Sequence, residues 1–354
     1  MKTIEDTTRR ITHIDNKMAA KAQRRLDNLT KPKQSLGKLE ELAKRIAGIT
    51  GNTGPSFKNK TIFTMVGDHG VAQEGVSLFP QEVTEQMIYN FLKGGAGVNV
   101  LAKHIGARVV VVDMGVAVKI KTHNRNFIDR KIAFGTKSIA LGPAMSKEEA
   151  MKSIEAGIEV FEEESIRRRI DVVGLGEMGI ANTTAASAIT GCITGAAVED
   201  VTGRGTGITD AQMETKLKVI RKALTINQPD PEYPIGVLEK IGGFEIGGLV
   251  GLILAAAAER VPVVLDGFIT ASAALIATGI SPLCKEYLLA SHNSVEKGHG
   301  IALKWMGLEP MFDLKMRLGE GTGACLGISM IEAGVKILTE MATFEDAGVS
   351  REKK

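Results

Sequence analysis

Short apolar runs, each followed by a glycine-rich stretch and then a helical pattern, constrain this chain more than any other feature. Thr61 to Val66 reads TIFTMV, Arg108 to Met114 reads RVVVVDM, Asp171 onward reads DVVGLG, and Val261 to Gly267 reads VPVVLDG. Helical patterns follow them near Gln81 to Lys93, in KEEAMKSIEAGIEVFEEESIRRR, around Thr183 to Thr194, and in TASAALIATG. Strand, glycine loop and helix in repeated order imply parallel strands joined by right-handed crossovers. The runs are apolar throughout rather than alternating, which is expected of strands covered by helices on both faces. The expected fold is therefore α/β, with a Rossmann-like doubly wound, mainly parallel sheet.

Both chain ends read differently. MAAKAQRRLDNL and KLEELAKRIAGIT carry apolar residues at helical spacing around the turn TKPKQSLG, and a helical pattern returns from about Ile328 to Ala342. Residues 1–55 with 328–354 are thus expected to form a small helical domain built from both termini, and 56–327 the α/β nucleotide-binding catalytic domain.

Composition narrows the partners. The 354 residues are 44% hydrophobic and 24% charged, enough to bury a large core. A net charge of +3 and an aromatic content of 4% give no basis for a nucleic-acid or membrane partner. The longest apolar stretch, Ile246 to Ala258, is shorter than the roughly 18 residues of a spanning helix. The N-terminus MKTIEDTTRRITHID lacks the apolar core of a signal peptide, so a cytoplasmic location is expected. Cys192, Cys284 and Cys325 have no CxxC spacing and read as reduced thiols. The histidines form no H-x-x-x-H pattern, so no catalytic metal is expected.

In doubly wound sheets ligands bind beyond the carboxyl ends of the strands. GDHGVAQEG, GLGEMGIANTT and LDGFITAS fall at such ends, and GRGTG and LGEGTGA add further glycine loops. Gly174, Gly176 and Gly179 match the G-x-G-x-x-G dinucleotide fingerprint, whereas Glu177 within it would repel a pyrophosphate. Gly203 to Gly207, ahead of a helix near Thr209, has the make-up of an anion nest to which Arg204 and Lys216 add charge; a plain tight turn is the other reading. Asp68 and His69 read as a catalytic pair or as a loop-orienting one. Phe79, Met87 and Met178 read as core, or as an apolar slot for a flat ring. Glu320 stands between glycines in LGEGTGA. A dry, glycine-walled cleft disfavours its charged form and suits a general base; an acid at the start of the last helix is the alternative.

Taken together and in order, GDHGV…EGVSLFPQEVTEQM, GLGEMGIANTT, GRGTG, INQPDP, GGFEIGGLVG, LDGFITASAA, SHNSVEKGH and RLGEGTGA strongly resemble the nicotinate-nucleotide–dimethylbenzimidazole phosphoribosyltransferase family of cobalamin biosynthesis. LTKPKQSLGKLEELA resembles that family's opening motif, with Gln34 where glycine is usual. The resemblance spans about Lys17 to Met341. It implies a homodimer that moves phosphoribose from nicotinate mononucleotide to a benzimidazole-type base, giving an α-riboside phosphate and nicotinate without a cofactor. It also implies roles for individual residues. Glu320 matches the catalytic base. Gly179, Gly203, Gly205, Lys216 and Ser294 match positions that hold the mononucleotide and its phosphate, and Glu177 and Asp266 match polar positions of the same cleft. The base slot falls at Phe79, Met87 and Met178. Phe79 and Met87 are larger or less polar than is common in that family, which leaves other benzimidazoles, adenine and phenolics open as the base. A nicotinamide-dinucleotide oxidoreductase and a non-catalytic nucleotide-binding protein remain the alternatives from other classes.

Overall fold

The computed structural model describes residues 3–350. Its centre is a sheet of six strands: β1 (Lys60–Gly67), β2 (Arg108–Gly115), β3 (Phe127–Asp129), β4 (Val172–Met178), β5 (Val263–Leu265) and β6 (Leu288–Ala290). Their order is β3-β2-β1-β4-β5-β6, and every neighbouring pair is parallel. This is the doubly wound order, and the chain reverses direction across the sheet between β1 and β4. Register there sets Met65 beside Glu177 and Val66 beside Met178. The two edge strands β3 and β6 are only 3 residues each and leave no periodic signal in the sequence.

Helices cover both faces. On β1, Thr64 faces the helix Thr322–Glu340 through a hydroxyl bond to the Glu320 carbonyl. A methyl built on Gly67 would instead meet Glu245, at the start of the helix Phe244–Ala258. Residues of opposite parity along one strand thus feed opposite layers. The Phe244–Ala258 helix packs on Lys147–Arg167 so closely that a methyl on Gly157 would stand 2.1 Å from the Gly248 carbonyl oxygen.

The helices Asn16–Leu26 and Lys38–Thr50 meet the end of Thr322–Glu340 in a separate apolar cluster of Ala22, Leu26, Leu29, Ala43, Ala47 and Leu338. Ile46 and Ile49, on the same Lys38–Thr50 helix, belong to the main core. In the turn that opens this region Gln34 holds a left-handed backbone, φ 60°, the conformation for which glycine is favoured. The last helix starts at Thr322 rather than near Ile328, because its first turn is apolar and capped from elsewhere in the chain. It is long and apolar enough to cross a membrane, yet here it packs on β4, β5 and the Lys38–Thr50 helix.

Candidate active site

A cleft of about 720 Å³ opens at the carboxyl ends of the strands. Its walls include Glu177, Met178 and Gly179 from the end of β4, Ser294 and Glu296 beyond β6, and Arg317 to Glu320 before the last helix. Phe79 and Met87 form the side facing Met178. Phe79 is 53% exposed, while Met87 and Met178 line the cleft and also rest on the main core.

The GLGEMG stretch corrects the sequence reading. Gly174 and Gly176 are not in a turn; they lie within β4, which runs on through Glu177 and Met178. Both glycines make room for the last helix and its approach. A methyl on Gly174 would stand 3.2 Å from the Ala324 methyl, and one on Gly176 would stand 2.0 Å from the Glu320 carbonyl oxygen. They serve packing rather than a pyrophosphate.

Glu320 sits at φ 65°, between Gly319 at φ 82° and Gly321 at φ 105°. A left-handed glutamate is unfavourable by itself, and the surrounding contacts hold it there. Its carbonyl accepts from Thr64 Oγ1 at 3.1 Å, and its Oε2 accepts the Val98 N–H at 3.1 Å, at the start of the helix Gly97–His104. Burial raises the Glu320 pKa, against the backbone N–H groups of Val98 and Gly97. The capping alternative falls to another residue: the Asp266 carboxylate accepts from the N–H groups of Gly321 at 3.0 Å, Gly323 at 2.6 Å and Ala324 at 3.1 Å. Asp266 therefore lies behind the cleft wall and fixes the turn that carries Glu320. Burial pushes its carboxyl up to about 7, against those three N–H groups and with the Glu320 charge adding to the rise.

Glu177 accepts a hydrogen bond from Asn182 Nδ2. Burial pushes its carboxyl up to about 8, against that bond, and the charges of Asp266, Glu245 and Glu320 push the same way. The charges of Glu177, Asp266 and Glu320 act on one another, so a proton on one helps keep another ionised.

On the far side, the Gly203 to Gly207 turn precedes the helix Asp210–Asn227, capped by Thr209. Lys216 is fully buried on that helix and reaches Thr183 Oγ1 at 2.8 Å and the Gly203 carbonyl at 3.2 Å. Burial brings its ammonium down to about 8, with Glu296 opposing the fall. Gly203 and Lys216 thus support the cleft from beneath, whereas Gly205 and Ser294 line it. Arg204 is not brought to the cleft: its guanidinium bonds Asp210 and the Ile208 carbonyl, the nearest acceptors along its own turn. The guanidinium on the cleft side is that of Arg317, which donates to the Gly205 carbonyl at 3.1 Å. Its place in FDLKMR, next to LGEG, is the one sequence signal for it.

Asp68 and His69 do not pair as a catalytic couple. Asp68 accepts the Ala117 N–H at 2.8 Å, while His69 Nε2 lies 2.6 Å from Glu245 Oε1, both side chains buried. Burial alone would lower the His69 pKa, but Glu245 and Asp68 outweigh it and raise it. This pair ties the end of β1 to the Phe244–Ala258 helix, which is the loop-orienting reading.

A phosphoribosyltransferase family model matches residues 11–349. A nicotinate-nucleotide–dimethylbenzimidazole phosphoribosyltransferase from Desulforudis audaxviator (strain MP104C) is 53% identical over 354 residues, covering 100% of this chain and 99% of that protein. One of the same name from Geobacter metallireducens is 54% identical over 354 residues, covering 99% of each. The crystal structure of the Thermus thermophilus protein so named superposes with a TM-score of 0.90 at 39% identity, over 96% of this chain and 100% of that one.

Proposed function

The chain belongs to the nicotinate-nucleotide–dimethylbenzimidazole phosphoribosyltransferase family, and on that premise we propose how its cleft carries out the transfer. It is an enzyme, a phosphoribosyltransferase of cobalamin biosynthesis acting on small-molecule substrates. In our reading nicotinate mononucleotide lies with its phosphate toward Gly179, Gly203, Gly205, Ser294 and the Lys216 ammonium, and Arg317 supplies the positive charge first expected of Arg204. The incoming base lies between Phe79, Met87 and Met178, with an N–H edge toward Glu320. One ring nitrogen attacks C1′ of the ribose from the face opposite nicotinate. The C1′–N bond breaks, its electron pair goes to the positively charged pyridinium nitrogen, and nicotinate leaves. Attack from the opposite face inverts β to α. The other ring nitrogen gives its proton to Glu320, leaving a neutral base on the α-riboside phosphate. Burial favours the protonated form of Glu177, which would not repel the substrate, and Asp266 holds the Glu320 turn.

The observation that carries this reading is Glu320 itself, a carboxylate fixed at a left-handed turn on the cleft wall, anchored by the Val98 N–H and raised in pKa by burial. Leu78, Phe79 and Leu318 stand exposed at or beside the mouth of the cleft, an apolar rim that fits coverage by a second copy in a homodimer. We further read residues 1–55 with 328–354 as a small helical domain beside a 56–327 catalytic domain, and the protein as cytoplasmic.

The test is base-dependent release of nicotinate from nicotinate mononucleotide, with both products resolved by chromatography across a panel of benzimidazoles, adenine and phenolics. Release that falls by about 10²-fold or more in Glu320→Gln is expected for a general base. Mononucleotide binding without release for any base would overturn the reading.

A further inference from the structure

The glycine turn assigned to the substrate phosphate already holds an anion that belongs to the chain. The Gly205 N–H donates to Glu296 Oε1 at 3.0 Å. The second oxygen, Oε2, is buried without a hydrogen-bond partner among the described residues, and a methyl on Gly203 would stand 2.0 Å from it. Glu296 is 7% exposed and lines the cleft. Lys216 donates to Thr183 and the Gly203 carbonyl rather than to Glu296, although the Glu296 charge still acts on its ammonium. The Glu296 backbone N–H donates to Ser294 Oγ at 3.3 Å, which fixes the segment. A buried carboxylate with one oxygen orphaned is a costly arrangement. A phosphate brought to the same turn meets a like charge and an amide that is already engaged.

We propose that Glu296 is a resident stand-in for the substrate phosphate: it occupies the Gly205 amide while the cleft is empty and yields it when the mononucleotide binds. This rests on the phosphate placement proposed above. Glu296 thereby sets selectivity for the anion. A weakly held anion does not repay displacement of a carboxylate from a charge-assisted hydrogen bond, whereas a phosphate that also engages Lys216 and Ser294 does. The affinity gained from the phosphate is an exchange of one anion for another rather than a new contact.

The test measures binding of nicotinate mononucleotide and of nicotinate riboside, which lacks the phosphate, to the wild type and to Glu296→Gln by calorimetry. The glutamine keeps an oxygen for the Gly205 N–H but removes the charge. The mononucleotide is expected to bind roughly tenfold tighter to the variant, about the difference between displacing a charged and a neutral hydrogen bond, while the riboside is unchanged. Unchanged or weaker mononucleotide binding in the variant, or an equal change for both ligands, overturns the inference while the phosphate placement stands. Equal affinity of the two ligands for the wild type overturns the placement, and the inference with it. Should Glu296→Gln not fold, Glu296→Asp draws the charge back by one methylene and is expected to show the same phosphate-restricted gain; its absence overturns the proposal.

Discussion

Gly176 lies directly beneath Glu320: a methyl group on Gly176 would stand 2.0 Å from the Glu320 carbonyl oxygen and 2.8 Å from the Gly321 nitrogen. The contact is with backbone, which cannot swing aside as a side chain does. Gly176→Ala should therefore push the 319–321 turn out of place. The expected result is a stability loss of about 1–3 kcal/mol from overpacking and a fall in kcat of about 10²-fold, the usual cost of misplacing a reacting group by about 1 Å. Thermal unfolding and steady-state rates measure both; an unchanged kcat would show that the turn tolerates the shift.

Asp266 gathers the first amides of the last helix. Replacing it with asparagine leaves one acceptor oxygen and turns an amide NH₂ toward N–H donors. Asp266→Asn should lose about 1–3 kcal/mol, the cost of a buried donor left unmet, and lower kcat through Glu320. Denaturant unfolding decides the first part, and a wild-type midpoint would contradict it.

Lys216 should matter to binding more than to chemistry. Lys216→Met keeps an apolar stem of similar length and removes the cation, so KM for the mononucleotide should rise by roughly 10- to 100-fold, the range of a lost charged hydrogen bond, with a smaller change in kcat. A kcat effect alone would assign Lys216 to the transition state instead.

Stability of the ligand-free protein should fall as pH rises from about 6.5 to 8. Glu177 is raised from 4.5 to about 8 and Asp266 from 3.8 to about 7, so in this window the folded chain binds protons that the unfolded chain has released. A group raised on folding contributes stability that is complete below its unfolded pKa and lost as pH passes the folded one. His299, lowered by burial to about 3, acts in the opposite sense, but only below its ordinary value of 6.5. Thermal midpoints at pH 6.5 and 8 should drop in the wild type and drop less in Glu177→Gln; equal slopes in the two would show that Glu177 does not carry the effect.

Much of the sheet was legible in the chain, since an apolar run such as RVVVVDM followed by glycine and a helical pattern has few other ways to bury itself. The edge strands β3 and β6 were not: each is 3 residues long and lacks a longer apolar run of the kind that marked the equally short β5. GLGEMG misled for a related reason: glycine signals turn locally, yet here it permits one backbone to lie against another that arrives from residue 320. Arg204 misled because a charge in a motif says nothing about which acceptor lies nearest in space.

The sequence by itself determined the α/β class, the glycine loops at the strand ends where the cleft opens, and Glu320 as a carboxylate walled by glycines; those follow from patterns within a few residues of one another. Only the tertiary structure decided that Asp266 caps the helix after Glu320, that Val98 anchors the Glu320 carboxylate, that His69 pairs with Glu245, and that Glu296 occupies the Gly205 amide. Each of these joins segments dozens to hundreds of residues apart. A hydrogen bond depends on position to within a fraction of an ångström, and that position is set by packing of the whole core rather than by any local run of residues.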